Sequence, residues 1–427
     1  MTREERRPMG PYIQQIWKAY NARANPPDGL TDRDQTKARP TPASATRPTA
    51  PGPLKVIGME IPIFTDVDEV YGQIGPGLGP FKLLNLFSAG TPSSIPRIIL
   101  RTDLDFPLET DSRRVDTDKS SASYYHGGSL GDEIAALLSL AAGVRLKAGA
   151  PDRLFLPDDP LEMSTYREKS HDPRPPSRAN HPLLPRYPSS FCLNDYEQKL
   201  AGFMAIDQQM ASAILRSARC YQIGLWHSEE DPQYAWMSLI SAAESAADYH
   251  YTEKVNPVET LKAGMPDLYE LLKKKAGCDQ NWLTDVAKQL KGLTGATKKF
   301  VDFLLEFWPD APTRVSRDSP RKWFQQAWSP DNGQSRDDWE KKLRDDLKNV
   351  YGWRSKHLHA GVALPPFMLR PPNQLEDGWE ERPCVPGMGD SENYWSAKDV
   401  PMLLHTFEHI VRGALLKWWD KAVDLQP

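Results

Sequence analysis

The chain has only four cysteines in 427 residues, Cys192, Cys220, Cys278 and Cys384, and none forms a C-x2-C pair or stands close to a histidine at zinc-ligand spacing. That scatter excludes a disulfide-built fold and a short-range zinc module, and predicts reduced, buried thiols. Long hydrophobic runs are missing too. The longest, Ile134 to Val144, falls well short of the roughly 20 residues a membrane span requires, and no apolar segment follows the charged opening "MTREERRPMGPYIQQIW". The third absence is an excess of one charge. With 53 Lys and Arg against 57 Asp and Glu, the net charge of -4 excludes the uniformly basic surface of a dedicated nucleic-acid binder, though it permits a local basic site. These absences together predict a cytoplasmic protein with no membrane partner.

Proline, by contrast, is abundant, at 39 residues against 27 glycines, and much of it falls in two stretches. A short helix is expected around Tyr12 to Ala24. After it, "NPPDGLTDRDQTKARPTPASATRPTAPGP" has almost nothing to bury, so residues 1–53 read as an unstructured tail outside the fold. The second stretch, "HDPRPPSRANHPLLPRYPSS" within residues 158–190, cannot sustain a helix or a central strand and reads as a linker or as an extended arm packed on a neighbour.

Between them, "LKVIGMEIPIF", "FKLLNLF" and "RIILRTDLDF" are short apolar runs separated by Gly and Pro clusters, as in strands of a small mixed sheet. "SLGDEIAALLSLAAG" follows as a helix, then "VRLKAG" and "RLFLP" as strands, which makes residues 54–157 a small α/β domain. From residue 191 to 427 the apolar residues recur at three- and four-residue spacing, which predicts a helical bundle with Asp195, Asp231, Ser335 and Ser396 as N-caps. The fold class is therefore α+β.

Three stretches carry residues suited to chemistry. "GGSLG", Gly127 to Gly131, matches the nucleophile elbow G-x-S-x-G, but Ser129 with Asp132 three residues on is equally a capping pair opening a helix. "HTFEH" places His405 and His409 one helical turn apart around Glu408, as in H-x-x-E-H metalloenzymes; zinc would need a third ligand, and only Asp420 and Asp424 follow as carboxylates. The third stretch is "YGWRSKHLHAG", Tyr351 to Gly361. Trp339, Leu343, Leu347 and Val350 form an apolar stripe along its helix, and Arg354 occupies the next position of that stripe, where a hydrophobic residue is due. Basic residues at a helix C-terminus also suit its dipole, and Gly361 is a natural stop.

"YGWRSKHLHAG" closely resembles the signature of the HEPN-domain family, in particular its ApeA-like branch, in which an aromatic residue, then R-S-K and a closing histidine, end a bundle helix. "LISAAESAADYH", with Glu244 inside an apolar run, resembles the second recurring element of that branch. The resemblance covers about residues 195–427. It implies an RNA endonuclease that uses neither metal nor cofactor, with Arg354 and His359 as the catalytic pair where two protomers meet, and Glu244, Ser355, Lys356 and His357 in support. Ser355 stands where the family usually carries a polar residue, often Asn, Asp or His. The resemblance further implies a homodimer acting on RNA as a regulated toxin or antiphage effector, with a regulatory ligand or protein at the N-terminal domain. The alternative is a HEPN module that binds a partner or nucleotide without catalysis. On geometry alone, at about 100° per residue, His357 lies nearer the face of Arg354 than His359, which is about 140° away.

Overall fold

The computed structural model describes residues 11–24, 57–75, 78–86, 98–103, 128–155, 163–164, 172–176, 179–251, 257–277, 279–290, 295–312, 335–375, 378–383, 395–396 and 398–425. The chain divides into two units, Met1–Pro175 with Pro188–Ser212, and Pro176–Tyr187 with Ala213–Pro427. Helices and an antiparallel sheet make it an α+β protein.

The first unit contains α1 (Tyr12–Ala24), β1 (Gly58–Phe64), β2 (Glu69–Tyr71), β3 (Gln73–Ile74), β4 (Phe81–Asn85), β5 (Ile98–Asp103), α2 (Leu130–Ala142), β6 (Lys147–Ala148), β7 (Arg153–Phe155), β8 (Met163–Ser164), β9 (Ser190–Cys192) and α3 (Glu197–Ala205). Its main sheet runs β3-β4-β5-β1-β7-β8, with β6 also on β1, and every ladder in it is antiparallel. The expected mixed sheet is therefore corrected: parallel pairing occurs among the described residues in the separate β2–β9 ladder. Ile61 pairs with Leu100 and Leu100 with Leu83, so strand alternation gathers these buried residues on one face. Helix α2 approaches that face at Gly131, where a Cβ would lie 2.9 Å from Ile61 Cγ2.

Helix α2 starts at a capping box of Ser129 and Asp132 and ends at Gly143, whose φ of 70° is the left-handed conformation a helix stop requires. It is buried from Glu133 to Ala142. The fully buried Glu133 accepts the backbone N–H groups of Tyr12 at 3.0 Å and Ile13 at 2.9 Å, so a carboxylate on α2 caps α1. Gln14 donates to the carbonyls of Phe203 and Ile206, and Ile13 and Ile16 are buried. Helix α1 is thus part of the fold. The expectation that residues 1–53 lie outside it fails at 12–24, because the capping donor's partner is 120 residues away and invisible to local pattern; residues 25–53 lie outside the described ones.

The second unit is helical: most of α4 (Gln208–His227), in which the division between the units falls, then α5 (Pro232–His250), α6 (Pro257–Gly264), α7 (Pro266–Ala276), α8 (Gln280–Leu290), α9 (Ala296–Glu306), α10 (Arg336–Ala360) and α11 (Leu404–Asp424), with a short β10 (Gln374–Leu375) and β11 (Gly378–Trp379) hairpin. Trp236 of α5 stacks on Phe407 of α11 at 4.7 Å, and Phe303 of α9 meets Trp418 edge-on. Asp231 and Ser335 cap α5 and α10 as expected. Asp195 instead lies in a 3-10 turn, and Ser396 closes a local turn on Asp399, while α11 begins only at Leu404.

In the proline-rich stretch, Leu183 and Leu184 are buried, Leu183 N–H donates to Glu229, and Arg186 pairs with Glu381, so 176–187 is an arm packed within the helical unit. The boundary expected at residue 191 shifts, because the β2–β9 ladder and the bonds from Gln14 keep Pro188–Ser212 in the first unit. Cys192 and Cys220 are free thiols, and burial pushes the Cys220 pKa up; Cys278 and Cys384 lie outside the described residues.

The Arg145–Asp66 ion pair of the first unit, at 2.6 Å, is almost wholly buried, with side chains 2% and 3% exposed. Asp66→Ala removes this buried partner of the guanidinium and is expected to cost about 3–5 kcal/mol in urea denaturation, whereas replacing both residues by apolar ones of similar volume costs much less.

Candidate functional site

Helix α10 runs without interruption from Arg336 to Ala360 and ends at Gly361, whose φ of 65° and N–H bond to the His357 carbonyl close it. Leu343, Leu347 and Val350 bury the expected stripe, and Arg354 extends it at the margin of the core, its side chain 22% exposed. The receiver of that guanidinium is Glu244 on α5. Arg354 Nη2 donates to Glu244 Oε2 at 2.8 Å, and Tyr351 OH donates to Glu244 Oε1 at 2.6 Å. The carboxylate is itself 23% exposed, and the guanidinium carbon stands 5.4 Å from the centroid of the Tyr351 ring. Burial and the Glu244 hydrogen bond raise the Tyr351 pKa, so the phenol stays a donor at every working pH.

This bond is monodentate. Arg354 Nε is buried without a hydrogen-bond partner, and the guanidinium's one hydrogen-bond acceptor among the described residues is Glu244. A forked cation in this state retains donors for a second anion.

The histidines of the last turn are placed differently. His357 is half-buried; its Nδ1 lies 3.1 Å from the Val362 carbonyl and 3.5 Å from Gln233 Nε2. The shorter contact has Nδ1–H donating to the carbonyl, which leaves Nε2 as the proton-accepting nitrogen. Gln233 in turn accepts the Leu364 N–H, tying the chain after α10 to the start of α5. His359 is exposed, and because the helix is unbroken it lies about 140° around from Arg354. One chain therefore brings Glu244, Tyr351 and Arg354 together and sets His357, not His359, nearest their face. Ser355 is half-buried, and Lys356 Nζ sits 4.2 Å over the Trp353 ring. Sequence reasoning missed Tyr351 and Gln233; the signal for Tyr351 was its place one turn before Arg354 on the same stripe.

A groove of about 670 Å³ opens at the other end of α10, lined by Asp302, Glu306, Trp308, Trp339, Glu340 and Arg344 among others. Arg344 there is paired to Asp302 and Glu340, and the groove begins about 15 Å along the helix from Arg354.

The other two sequence candidates are structural. Ser129 Oγ donates to Asp132 Oδ2 and accepts its N–H, which is a cap and not an elbow. His405 Nε2 donates to the Glu380 carbonyl at 2.7 Å, and His409 Nε2 to the Asp310 carbonyl at 3.0 Å, so the two imidazoles serve different main-chain acceptors. Among the described residues no group of three or more His, Cys, Asp or Glu side chains is arranged to hold a metal ion, and no helix is long and apolar enough to cross a membrane.

His405 belongs to a buried network that no motif announced. Its Nδ1 accepts from Arg186, which also pairs with Glu381; Glu381 accepts from Thr406, and Glu380 binds Arg370 through both oxygens. Burial holds the His405 pKa below its usual 6.5. A buried neutral imidazole takes up its proton only on unfolding, so its contribution to stability is present above pH 6.5 and is lost as the pH falls below that value. Urea midpoints of the wild type are expected to drop between pH 7.5 and 5.5 more steeply than those of His405→Gln.

No protein-family model, curated protein or solved structure matches the chain.

Proposed function

We propose that the chain is a metal-independent RNA endonuclease of the HEPN type, with Arg354 holding the scissile phosphate and His359 moving the proton where the helical units of two copies meet. The observation that carries this reading is Arg354: a part-exposed guanidinium on an otherwise apolar stripe, seated by Glu244 and Tyr351, with most of its donors unengaged among the described residues and two imidazoles in the turn that follows. A guanidinium held in this way needs no reorganisation to receive a phosphate and to stabilise the charge that grows on its oxygens.

In the reaction an imidazole takes the proton of the RNA 2′-hydroxyl and the 2′-oxygen attacks the adjacent phosphorus. The 5′-oxygen leaves and takes a proton, giving a 2′,3′-cyclic phosphate and a 5′-hydroxyl. DNA lacks the attacking group. The orientation of His359 away from Arg354 on an unbroken helix fits a site completed by a second copy, while His357 is the candidate for a proton carrier within one chain. The reading includes a regulated role, as a toxin or antiphage effector, with the first unit as the place where a ligand or protein exerts control.

One observation favours a second reading. Glu244 already neutralises Arg354, which suits a module that binds a partner or nucleotide without catalysis.

Purified protein incubated with total RNA and tRNA in EDTA is expected to yield fragments ending in 2′,3′-cyclic phosphate. Arg354→Ala and His359→Ala should each reduce cutting by about 100-fold or more. Loss confined to His357→Ala would move the proton transfer to that residue. Undiminished cutting by Arg354→Ala would overturn the assignment of this site, and intact RNA in every sample would favour the binding module.

A further inference from the structure

Helices α4 and α5 are joined by residues 228–231, and the Asp231 N–H donates to the His227 carbonyl, so the two helices run antiparallel. Gly224 fixes their register: a Cβ there would lie 3.0 Å from Leu239 Cγ and 3.1 Å from the Ala235 carbonyl oxygen. Arg216 precedes Gly224 by as many residues as 243–247 follow Ala235 to Leu239. It therefore stands level with Glu244.

Both helices turn one side to the core, where Tyr221 donates to Glu408 of α11 at 2.5 Å and Trp236 stacks on Phe407. At about 100° per residue, Arg216 lies about 80° round α4 from Gly224 on the side away from Tyr221, and Arg219 about 60° further. On α5 the half-buried Ser241 and Ser245 lie between Glu244 and Leu239, on the side away from Trp236. Burial raises the Cys220 pKa most; Arg219 and Arg216 lower it and Glu244 raises it, so these three charges are within electrostatic reach of one thiol. The outer surface thus carries Arg216 and Arg219 on one side of α5 and Arg354 on the other, with two serines between. At ordinary helix spacings α4 and α10 are no more than about 20 Å apart.

Negative charge is scarce across this surface. Helix α4 has no Asp or Glu, and α10 has none after Asp346. The two carboxylates of α5 are both engaged, Glu244 by Arg354 and Tyr351, and Asp248 by Lys299 at 2.6 Å. Arg216 is exposed and makes no ion pair with a described residue. Guanidinium groups facing one another across a helix, with so little negative charge around them, make a local field that favours an anion.

We infer that a single RNA strand crosses α5 over Ser241 and Ser245, with one phosphate on Arg354 and a second, a few nucleotides away, on Arg216 and Arg219. The inference rests on the nuclease reading for its ligand and adds to it a second grip on the substrate. Small hydroxyl side chains leave room for the strand, and a forked cation at each end holds phosphate whatever the base sequence.

The test reads binding apart from cleavage, with a single-stranded 2′-O-methyl RNA that cannot be cut through its 2′-oxygen. Full-length wild type is compared in EDTA with a variant carrying Arg216→Gln and Arg219→Gln; glutamine is a good helix former, and an unchanged circular dichroism spectrum is the folding control. The variant is expected to bind about tenfold more weakly at about 0.1 M salt, and the slope of log affinity against log salt should fall by about 0.7 for the phosphate it releases. Arg216→Lys with Arg219→Lys should recover most of the affinity, since the positive charge is kept. Lys274→Gln with Lys275→Gln, which removes the same charge from the exposed surface of α7, should bind as the wild type does. Equal affinity and slope in wild type and arginine variant overturn the inference. So do equal losses in the arginine and lysine variants, or no binding by the wild type. If Arg354→Ala stops cutting while the arginine variant binds normally, the nuclease reading stands and this one falls. If nothing cuts yet the arginine variant alone loses RNA, the strand contact stands and the nuclease reading falls.

Discussion

A carboxylate withdrawn from water must find donors, and in this protein it finds them on distant segments. Glu133 caps α1 from α2, Asp66 holds Arg145, Glu380 and Glu381 tie the hairpin region to Arg370, Arg186 and α11, and Glu244 joins α5 to α10. Each bond costs desolvation, so the gain lies less in raw stability than in a unique arrangement: a displaced partner leaves a buried charge alone. The pairing at Glu244 bears most directly on the proposed site, since it sets the guanidinium of Arg354 at the edge of the bundle.

That pairing has two consequences. It engages one nitrogen of the guanidinium, which anchors Arg354 while leaving its side chain part-exposed. It also makes α5 a positioning element, because Glu244 reaches Tyr351 and Arg354 in consecutive turns while Gln233, at the start of α5, meets His357 and Leu364. The last turns of α10 are therefore held along the length of a second core helix. The proposed nuclease reaction, in which a phosphate is gripped and a proton moved within a few ångströms, would draw on that positioning.

The His405 network shows the same principle in a purely structural setting. Two histidines at H-x-x-E-H spacing invite a metal, yet each directs Nε2 to a different carbonyl. Spacing on a helix settles which side chains share a face; it does not settle what approaches that face from elsewhere in the chain.

Much of the architecture was legible from local pattern. Apolar alternation marked β1, β4 and β5, three- and four-residue spacing marked the long helices, and Ser129, Asp231, Ser335 and Gly361 announced their ends, because capping and periodicity depend on residues within one or two turns. Arg354 stood out for the same reason, as a cation on an apolar stripe. Strand pairing, the inclusion of α1 in the fold, the docking of the proline-rich arm, and the partnership of Arg354 with Glu244 and Tyr351 were decided only in three dimensions. Their donors and acceptors stand tens to more than a hundred residues apart, and no local spacing records which buried group will meet which.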